Sequence, residues 1–237
     1  MKTLLSLAMA CMALMSVSAQ NLKGAWEAVE GDKKTTRIYT ADFFSVAIYN
    51  VKDKKFEGTY GGSYKIDGKN LVETIEFDTW QPANVGTVVN TPFTQKRNQL
   101  TLNAENIKTT YQQTDAGGPG QLAGAWLITG RFVDGEMRKS TPGVRRTMKI
   151  LSGTRFQWIA YNVETKEFFG TGGGTYTTAN GKYTENIEFF SRDASRVGIS
   201  LGFDFSLMDD GAWRHSGKSS KGDPIDEIWT QREKFGL

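Results

Sequence analysis

The same strand-rich segment is present twice in this chain, and this duplication restricts the possible folds more than any other feature. The first copy runs from Tyr49 to Phe77 and the second from Tyr161 to Phe189. Each residue of the second copy follows its counterpart by 112 positions without a gap, and about half of the aligned positions are identical. A repeat of this length is typical of one structural module that occurs twice, so two similar modules are predicted.

A Gly-x-Trp motif opens each module, at Gly24 to Trp26 and at Gly124 to Trp126. These motifs are 100 positions apart, whereas the later segments are 112 apart, so the second module carries an insertion of 12 residues. We place this insertion around residues 134–143, which are polar and contain two glycines. The two modules are therefore expected to differ at this point.

The modules are predicted over residues 20–115 and 121–237. Residues 116–120 lie between them and combine three glycines with Pro119. This composition is typical of a linker that is flexible with one stiff point.

The N-terminus has the pattern of a secretory signal peptide over residues 1–19. Lys2 precedes an apolar run from Leu4 to Met15, and small residues lead to a predicted cleavage site after Ala19. The run is too short for a membrane anchor. We also considered a lipoprotein with Cys11 as the lipidated residue, but Ala8 stands where a large aliphatic residue is usual. A secreted or periplasmic protein without disulfides is expected, because Cys11 is the only cysteine.

Strand patterns dominate both modules, and no segment of ten or more residues keeps a helical spacing of apolar residues. Turn sequences such as Asp67-Gly68 and Asn180-Gly181 separate alternating runs. The predicted fold class is all-β, with two tandem antiparallel up-and-down barrels of about eight strands each. A barrel of this size can hold one small ligand. The net charge of +3 is nearly balanced and gives no sign of a nucleic-acid-binding surface.

The Gly-x-Trp motifs and the late segment from Trp229 to Arg232 resemble the opening and closing signatures of lipocalins. The resemblance implies that Trp26 and Trp126 close one end of each barrel and that Arg232 packs over Trp126. The first module departs from this pattern, since it has Tyr111 to Thr114 where the second has Trp229 to Arg232. The whole chain after the signal is similar to small secreted lipocalin-like proteins of Bacteroides-type bacteria, whose function is not settled.

One carboxylate in each module is predicted to lie on the apolar face of its strand. Alternation places Glu73 with Leu71, Ile75 and Phe77, and it places Glu185 with the equivalent residues, including Tyr183. Each carboxylate is either bonded to a partner inside its barrel or serves as the polar anchor of a ligand. Alternation also argues against a glycosidase pair, because a glutamate three positions further on faces the opposite way.

The glycine-rich strand of each module predicts a sharply curved wall. Phe56, Gly58, Tyr60, Gly62 and Tyr64 alternate onto one face in the first module, and glycines in a strand mark bulges, barrel corners or close approach of a ligand.

The second module is expected to be the roomier of the two. Gly172 replaces Tyr60 there, and Tyr176 is the counterpart of Tyr64. Trp158, on the neighbouring strand, is either ordinary core or a surface on which a ring or sugar can stack.

No metal or cofactor is expected. His215 is the only histidine, and we interpret it as a surface residue in preference to a haem ligand. Without a second histidine or a mature cysteine, a zinc site is not predicted.

The sequence is best interpreted as a non-catalytic binding protein for a small apolar or amphipathic molecule or a glycan, with the second module as the binding unit. Two alternatives remain open at this stage: a barrel isomerase or hydrolase that uses Glu185 as acid or base, and an interaction protein with solid barrels. The oligomeric state is not predicted. The candidate ligand contacts are Glu185, Tyr176, Trp158, Tyr183, Glu73 and Tyr64.

Overall fold

The structure, a computed structural model, describes residues 21–118 and 120–237. The predicted signal peptide over 1–19, with Cys11 and the expected cleavage site, lies outside the described residues. Two closed antiparallel barrels of eight strands each follow one another in up-and-down order, as predicted. Within the described ranges, no helix is both long enough and apolar enough to span a bilayer.

The first barrel closes by pairing of its first and last strands. A short 3₁₀ helix, Pro82–Asn84, lies between the fifth and sixth strands. The strands are β1 (Gly24–Glu30), β2 (Lys33–Tyr39), β3 (Phe43–Asn50), β4 (Lys55–Asp67), β5 (Asn70–Asp78), β6 (Val88–Lys96), β7 (Gln99–Ala104) and β8 (Ile107–Asp115).

The second barrel repeats this order, and the insertion forms an extra hairpin strand. That strand, β10, pairs only with β9, and the barrel closes between β9 and β17. The 3₁₀ helices Ala194–Arg196 and Arg232–Phe235 complete the described chain. The strands are β9 (Gly124–Val133), β10 (Glu136–Lys139), β11 (Arg145–Leu151), β12 (Arg155–Asn162), β13 (Phe168–Ala179), β14 (Lys182–Phe190), β15 (Ser200–Leu207), β16 (Trp213–Lys218) and β17 (Pro224–Gln231).

A buried tryptophan closes one end of each barrel. The indole N–H of Trp26 donates to the carbonyl of Leu22 at 2.8 Å, and that of Trp126 donates to the carbonyl of Leu122 at 2.9 Å. Both indoles are buried, so these bonds satisfy donors that would otherwise be costly to bury. The other end of each barrel carries the turns β1–β2 and β3–β4 or their counterparts.

The glycine-rich strands curve through β-bulges. The pairing of β4 with β5 shifts between Gly61 and Gly62, and that of β13 with β14 shifts between Gly173 and Gly174. A methyl group at Gly173 would lie 2.6 Å from the Phe189 ring, so the absence of a side chain lets that ring pack on the strand. Curvature and close packing therefore account for these glycines, as expected for a closed barrel.

The two barrels pack against each other through equivalent surfaces. Tyr49 of the first barrel lies 4.8 Å from Phe189, and their counterparts Tyr161 and Phe77 are 4.9 Å apart, measured between ring centroids. Gln157 donates to the hydroxyls of both Thr59 and the equivalent Thr171, at 2.9 and 3.0 Å. The same patch on each module therefore meets its own copy, which is the geometry of an isologous dimer interface.

Glu76 and Glu188 are the polar centres of this interface. Tyr161 donates to Glu76 at 2.8 Å, and the equivalent Tyr49 donates to Glu188 at 2.7 Å. Each carboxylate also pairs with an equivalent cation of the other barrel, because Arg146 lies 3.0 Å from Glu76 and Lys34 lies 3.1 Å from Glu188. These reciprocal bonds fix how the barrels are placed against each other.

Arg232 does not occupy the place that the lipocalin resemblance implied. Its buried guanidinium lies 3.9 Å from the centre of the Phe43 ring and donates to Glu76, both in the first barrel. The expectation that it packs over Trp126 was wrong, because the guanidinium is held against the Phe43 ring and bound by the interface carboxylate.

The segment that leaves β8 is fastened to the second barrel. The Asp115 carboxylate accepts hydrogen bonds from the hydroxyls of Ser152 and Thr154, both at 2.7 Å, and from the backbone N–H groups of Gly117, Gly153 and Thr154. Asp115, the last residue of β8, therefore ties the end of the first barrel to the β11–β12 turn of the second.

We predict that acid weakens this attachment. Although burial acts to raise the pKa of Asp115, hydrogen bonds from Thr154, Ser152, Gly117 and Gly153 outweigh it, and the pKa lies below its ordinary value. The contribution of Asp115 to stability is then complete above its unfolded pKa of about 4 and is lost as the pH falls through the folded value. Urea unfolding from pH 7 to 3 should show a shallower decline for Asp115→Asn than for the wild type. The same change at the exposed turn residue Asp209 is the control, and a decline as steep in Asp115→Asn as in this control would contradict the prediction.

Candidate functional site

The open end of the first barrel contains a cavity of about 470 Å³. It lies at the end opposite Trp26, where the β1–β2 and β7–β8 turns leave the interior accessible. The lining residues come from β1, β2, β3, β4 and β8. They are Ala28, Val29, Glu30, Lys33, Thr35, Val46, Ile48, Tyr60, Ile107, Lys108, Thr109, Thr110 and Tyr111.

Tyr60 and Tyr111 form the floor of this cavity. Beneath them lies Arg37, whose guanidinium carbon is 5.7 Å from the centre of the Tyr60 ring and 5.5 Å from that of Tyr111. Arg37 also donates to the Tyr60 hydroxyl at 2.9 Å. The floor is thus held in place from below, so its aromatic faces do not need a ligand to be ordered.

The walls and rim of the cavity combine apolar and polar side chains above this floor. Val46 and Ile48 of β3 contribute to the wall, while Val29 and Ile107 stand at the rim and are each 68% exposed. Trp80, also well exposed, packs on Gly58 and lies 6.3 Å from the Tyr60 ring. Exposed apolar side chains that surround a concave site are a feature of ligand-binding surfaces.

Charged and hydroxyl groups from β1, β2 and β8 also line the cavity. Glu30, Lys33 and Lys108 are exposed, and Thr35, Thr109 and Thr110 line the cavity between them. The cavity therefore offers an apolar wall and a polar edge, which suits a molecule with both kinds of surface.

Glu73 lies below the floor, where its carboxylate is bonded to a partner inside the barrel. This is the first of the two interpretations offered from the sequence. Its carboxylate pairs with Arg37 at 2.5 Å, and Arg37 also donates to the hydroxyl of Tyr39. Burial raises the pKa of Glu73 above its ordinary value, against the opposing effect of Arg37. Burial also raises the pKa of Tyr60, to about 12, so its hydroxyl stays protonated at neutral pH.

The second barrel has an equivalent buried pair between Lys149 and Glu185. The ammonium group lies 2.8 Å from the carboxylate, which also accepts a hydrogen bond from Tyr183 at 2.9 Å. Four aromatic rings surround the ammonium group with centroids 5.1 to 5.7 Å away, a favourable arrangement for a cation removed from water. These rings belong to Tyr183, Phe203, Trp213 and Trp229.

Gly172 does not make the second barrel roomier, contrary to the expectation from the sequence. A methyl group at this position would lie 2.8 Å from the indole nitrogen of Trp158 and 2.9 Å from the Phe190 ring. Trp158 packs edge-on against Phe190, with ring centroids 5.6 Å apart. In the second barrel these two rings occupy the space that the Tyr60 side chain occupies in the first.

Tyr64 and Tyr176 occupy equivalent places near the closed ends. Tyr64 donates to the carbonyl of Thr40 at 2.9 Å, and Tyr176 donates to that of Ser152 at 2.7 Å. Of the six residues proposed as ligand contacts, the structure brings Glu185, Tyr183 and Tyr176 together. Tyr176 is the cross-strand partner of Glu185, and its ring centroid lies 5.6 Å from that of Tyr183. Their role in ligand binding stays a prediction.

His215 is buried, so its interpretation as a surface residue was wrong. It is 1% exposed and lies between Phe203 and Trp213, with Nδ1 3.8 Å from the Glu227 carboxylate. Burial and then the nearby Lys149 lower the pKa of His215, and the neutral ring serves as part of the aromatic core. No group of three or more possible metal ligands occurs within residues 21–118 and 120–237.

The cavity in the first barrel was missed by the sequence analysis. The sequence did contain one signal for this cavity. Val29 and Ile107 are apolar residues next to turns, where few core neighbours are available to cover them, and this position could have indicated an apolar rim. Comparisons of the chain with protein-family models and with curated proteins find no match.

Proposed function

We propose that this protein is an exported, non-catalytic binding protein that takes up a small amphipathic molecule in the open end of its first barrel. The observation that carries the proposal is the cavity of about 470 Å³ with exposed apolar side chains at its rim. This volume falls within the range of about 300 to 1,000 Å³ that is usual for small-molecule sites. Export to the periplasm or beyond is supported by the signal-peptide pattern of residues 1–19.

An amphipathic ligand fits this site better than a glycan. The wall from Val46 to Ile48 and the rim residues Val29 and Ile107 present branched aliphatic groups, which favour an apolar body over hydroxyl-covered rings. The threonines and charged groups of the rim can bind the polar end of the ligand. The first barrel is proposed over the second because Trp158 and Phe190 fill the equivalent space there.

Large side chains at the cavity wall should abolish binding. Thr35 and Ile48 are cross-strand partners that both line the cavity, so Thr35→Trp and Ile48→Trp each place an indole in the volume available to the ligand. We expect the affinity for the neutral fluorescent probe N-phenyl-1-naphthylamine to fall at least tenfold, about 1.4 kcal/mol of binding free energy. A fluorescence titration measures this directly.

Thr94→Trp is the matched control, because Thr94 is exposed on β6 and does not line this cavity. It should bind the probe like the wild type. Equal affinity in all four proteins would place the probe elsewhere, and a wild type that does not bind would remove the basis of the proposal.

A further inference from the structure

The second barrel has an opening of its own in the side of its wall. β9 pairs with β11 only from Gly124 to Leu127, opposite Met148 to Leu151. Beyond Leu127 the two strands separate, and β9 pairs with β10 from Gly130 to Val133. A groove of about 450 Å³ lies at this separation. We call it the side groove, and it is lined by Leu127, Ile128, Arg131, Val133, Arg138, Lys139, Ser140, Thr141, Pro142, Arg145, Arg146 and Thr147.

The charge of the side groove is of one sign. Five of its lining residues are cationic, and none is a carboxylate. The cavity of the first barrel differs, because Glu30 accompanies Lys33 and Lys108 there. The difference arises largely from the insertion, which supplies the segment 138–142 and has no counterpart in the first module.

Three of the five cations are available to a ligand. Arg131 pairs with Glu227 at 3.4 Å and Arg146 pairs with Glu76 at 3.0 Å. Arg138, Lys139 and Arg145 are exposed and form no ion pair within the described parts of the chain. The Arg145 guanidinium carbon lies 4.8 Å from the centre of the Phe169 ring, which holds it in place and leaves its N–H groups open to a ligand. No carboxylate of the groove balances their positive charge, and a bound anion would supply that balance.

The uncharged lining residues restrict the ligand further. Ser140 and Thr141 bring hydroxyl groups next to the free cations, while Ile128, Val133 and Pro142 provide apolar contact. Guanidinium groups present paired N–H donors that match the oxygens of a phosphate or sulfate group. An apolar wall beside such donors suits the organic part of an ester.

We infer that the side groove is a second binding site, which takes a phosphate or sulfate ester with a compact apolar group. The oxyanion lies between Arg138 and Arg145, and the apolar group contacts Ile128 and Val133. The side groove shares no lining residue with the cavity of the first barrel. Binding at one site therefore does not depend on binding at the other.

The test is a calorimetric titration of the full chain with 1-naphthyl phosphate, 1-naphthyl sulfate and the uncharged 1-naphthol. The triple variant Arg138→Ala/Lys139→Ala/Arg145→Ala should bind the two esters at least tenfold more weakly than the wild type. Its control is Lys65→Ala/Lys69→Ala/Lys96→Ala, which removes the same charge from exposed positions of the first barrel. Thr35→Trp, which fills the first cavity, should retain ester binding.

Three results would overturn the inference. An equal loss in both triple variants would show a general effect of net charge. Tighter binding of 1-naphthol than of the esters would show that the oxyanion is not recognised. Loss of ester binding in Thr35→Trp, with full binding in the groove variant, would place the esters in the first barrel.

A fall in ester affinity with added salt is expected, because the cations are exposed and screened.

Discussion

Replacing Glu73 with leucine should lower the free energy of unfolding by about 3 to 5 kcal/mol. The substitution removes the carboxylate that pairs with Arg37 at 2.5 Å inside the first barrel. Arg37 is 2% exposed and cannot reach water, so its charge would remain buried with only the hydroxyls of Tyr39 and Tyr60 as partners. Urea unfolding followed by circular dichroism measures the loss.

The double variant Arg37→Met/Glu73→Leu separates the cost of a lone buried charge from the value of the pair itself. Replacing a whole buried ion pair with apolar residues is often nearly neutral, so the double variant should recover most of the stability. A double variant less stable than Glu73→Leu would contradict this account of the barrel interior.

Glu76→Gln should destabilise the contact between the barrels by about 2 to 5 kcal/mol. Glu76 binds two arginines and Tyr161 of the second barrel, and one of those arginines, Arg232, is fully buried. A neutral amide leaves that guanidinium without its ion-pair partner. Glu188→Gln should cost only about 1 kcal/mol, because its side chain is 30% exposed and Arg155 keeps a second partner in Glu27.

Differential scanning calorimetry can measure both changes and also shows whether the barrels unfold together. Wild-type protein should give one transition, and Glu76→Gln should broaden it or divide it in two as the coupling between barrels weakens. Equal effects of the two substitutions would show that the different burial of these equivalent carboxylates is unimportant.

The architecture could be predicted because it depends on patterns within each module. The repeat of 112 residues and the short alternating runs indicated two barrels, and alternation placed Glu73 and Glu185 inside them. The cations that accompany them, Arg37 and Lys149, are also 112 positions apart and could have been noticed as a second repeated pair.

The candidate site could not be predicted because it depends on which side chains fill each interior. Gly172 suggested free space, but Trp158 and Phe190 occupy it. A bulge between Ile48 and Tyr49 also interrupts the alternation, so Phe56 pairs with Tyr49 and packs in the contact between the barrels, away from the interior.

The interface was missed for a related reason. Alternation correctly placed Glu76 and Glu188 on the outer faces of their strands, where charged residues are usually solvated. A single sequence does not show that these faces are buried by a second module, and only the reciprocal bonds to Tyr161 and Tyr49 reveal it.

Native mass spectrometry of protein purified from its own host tests the proposed function most directly. Wild-type protein and Thr94→Trp should carry the same additional small mass, and Thr35→Trp and Ile48→Trp should lack it, because their indoles fill the cavity of the first barrel. The released molecule should contain an apolar group and a polar end. A mass retained by both filled variants, or absent from the wild type in the presence of a host lipid extract, would contradict a ligand site in the first barrel.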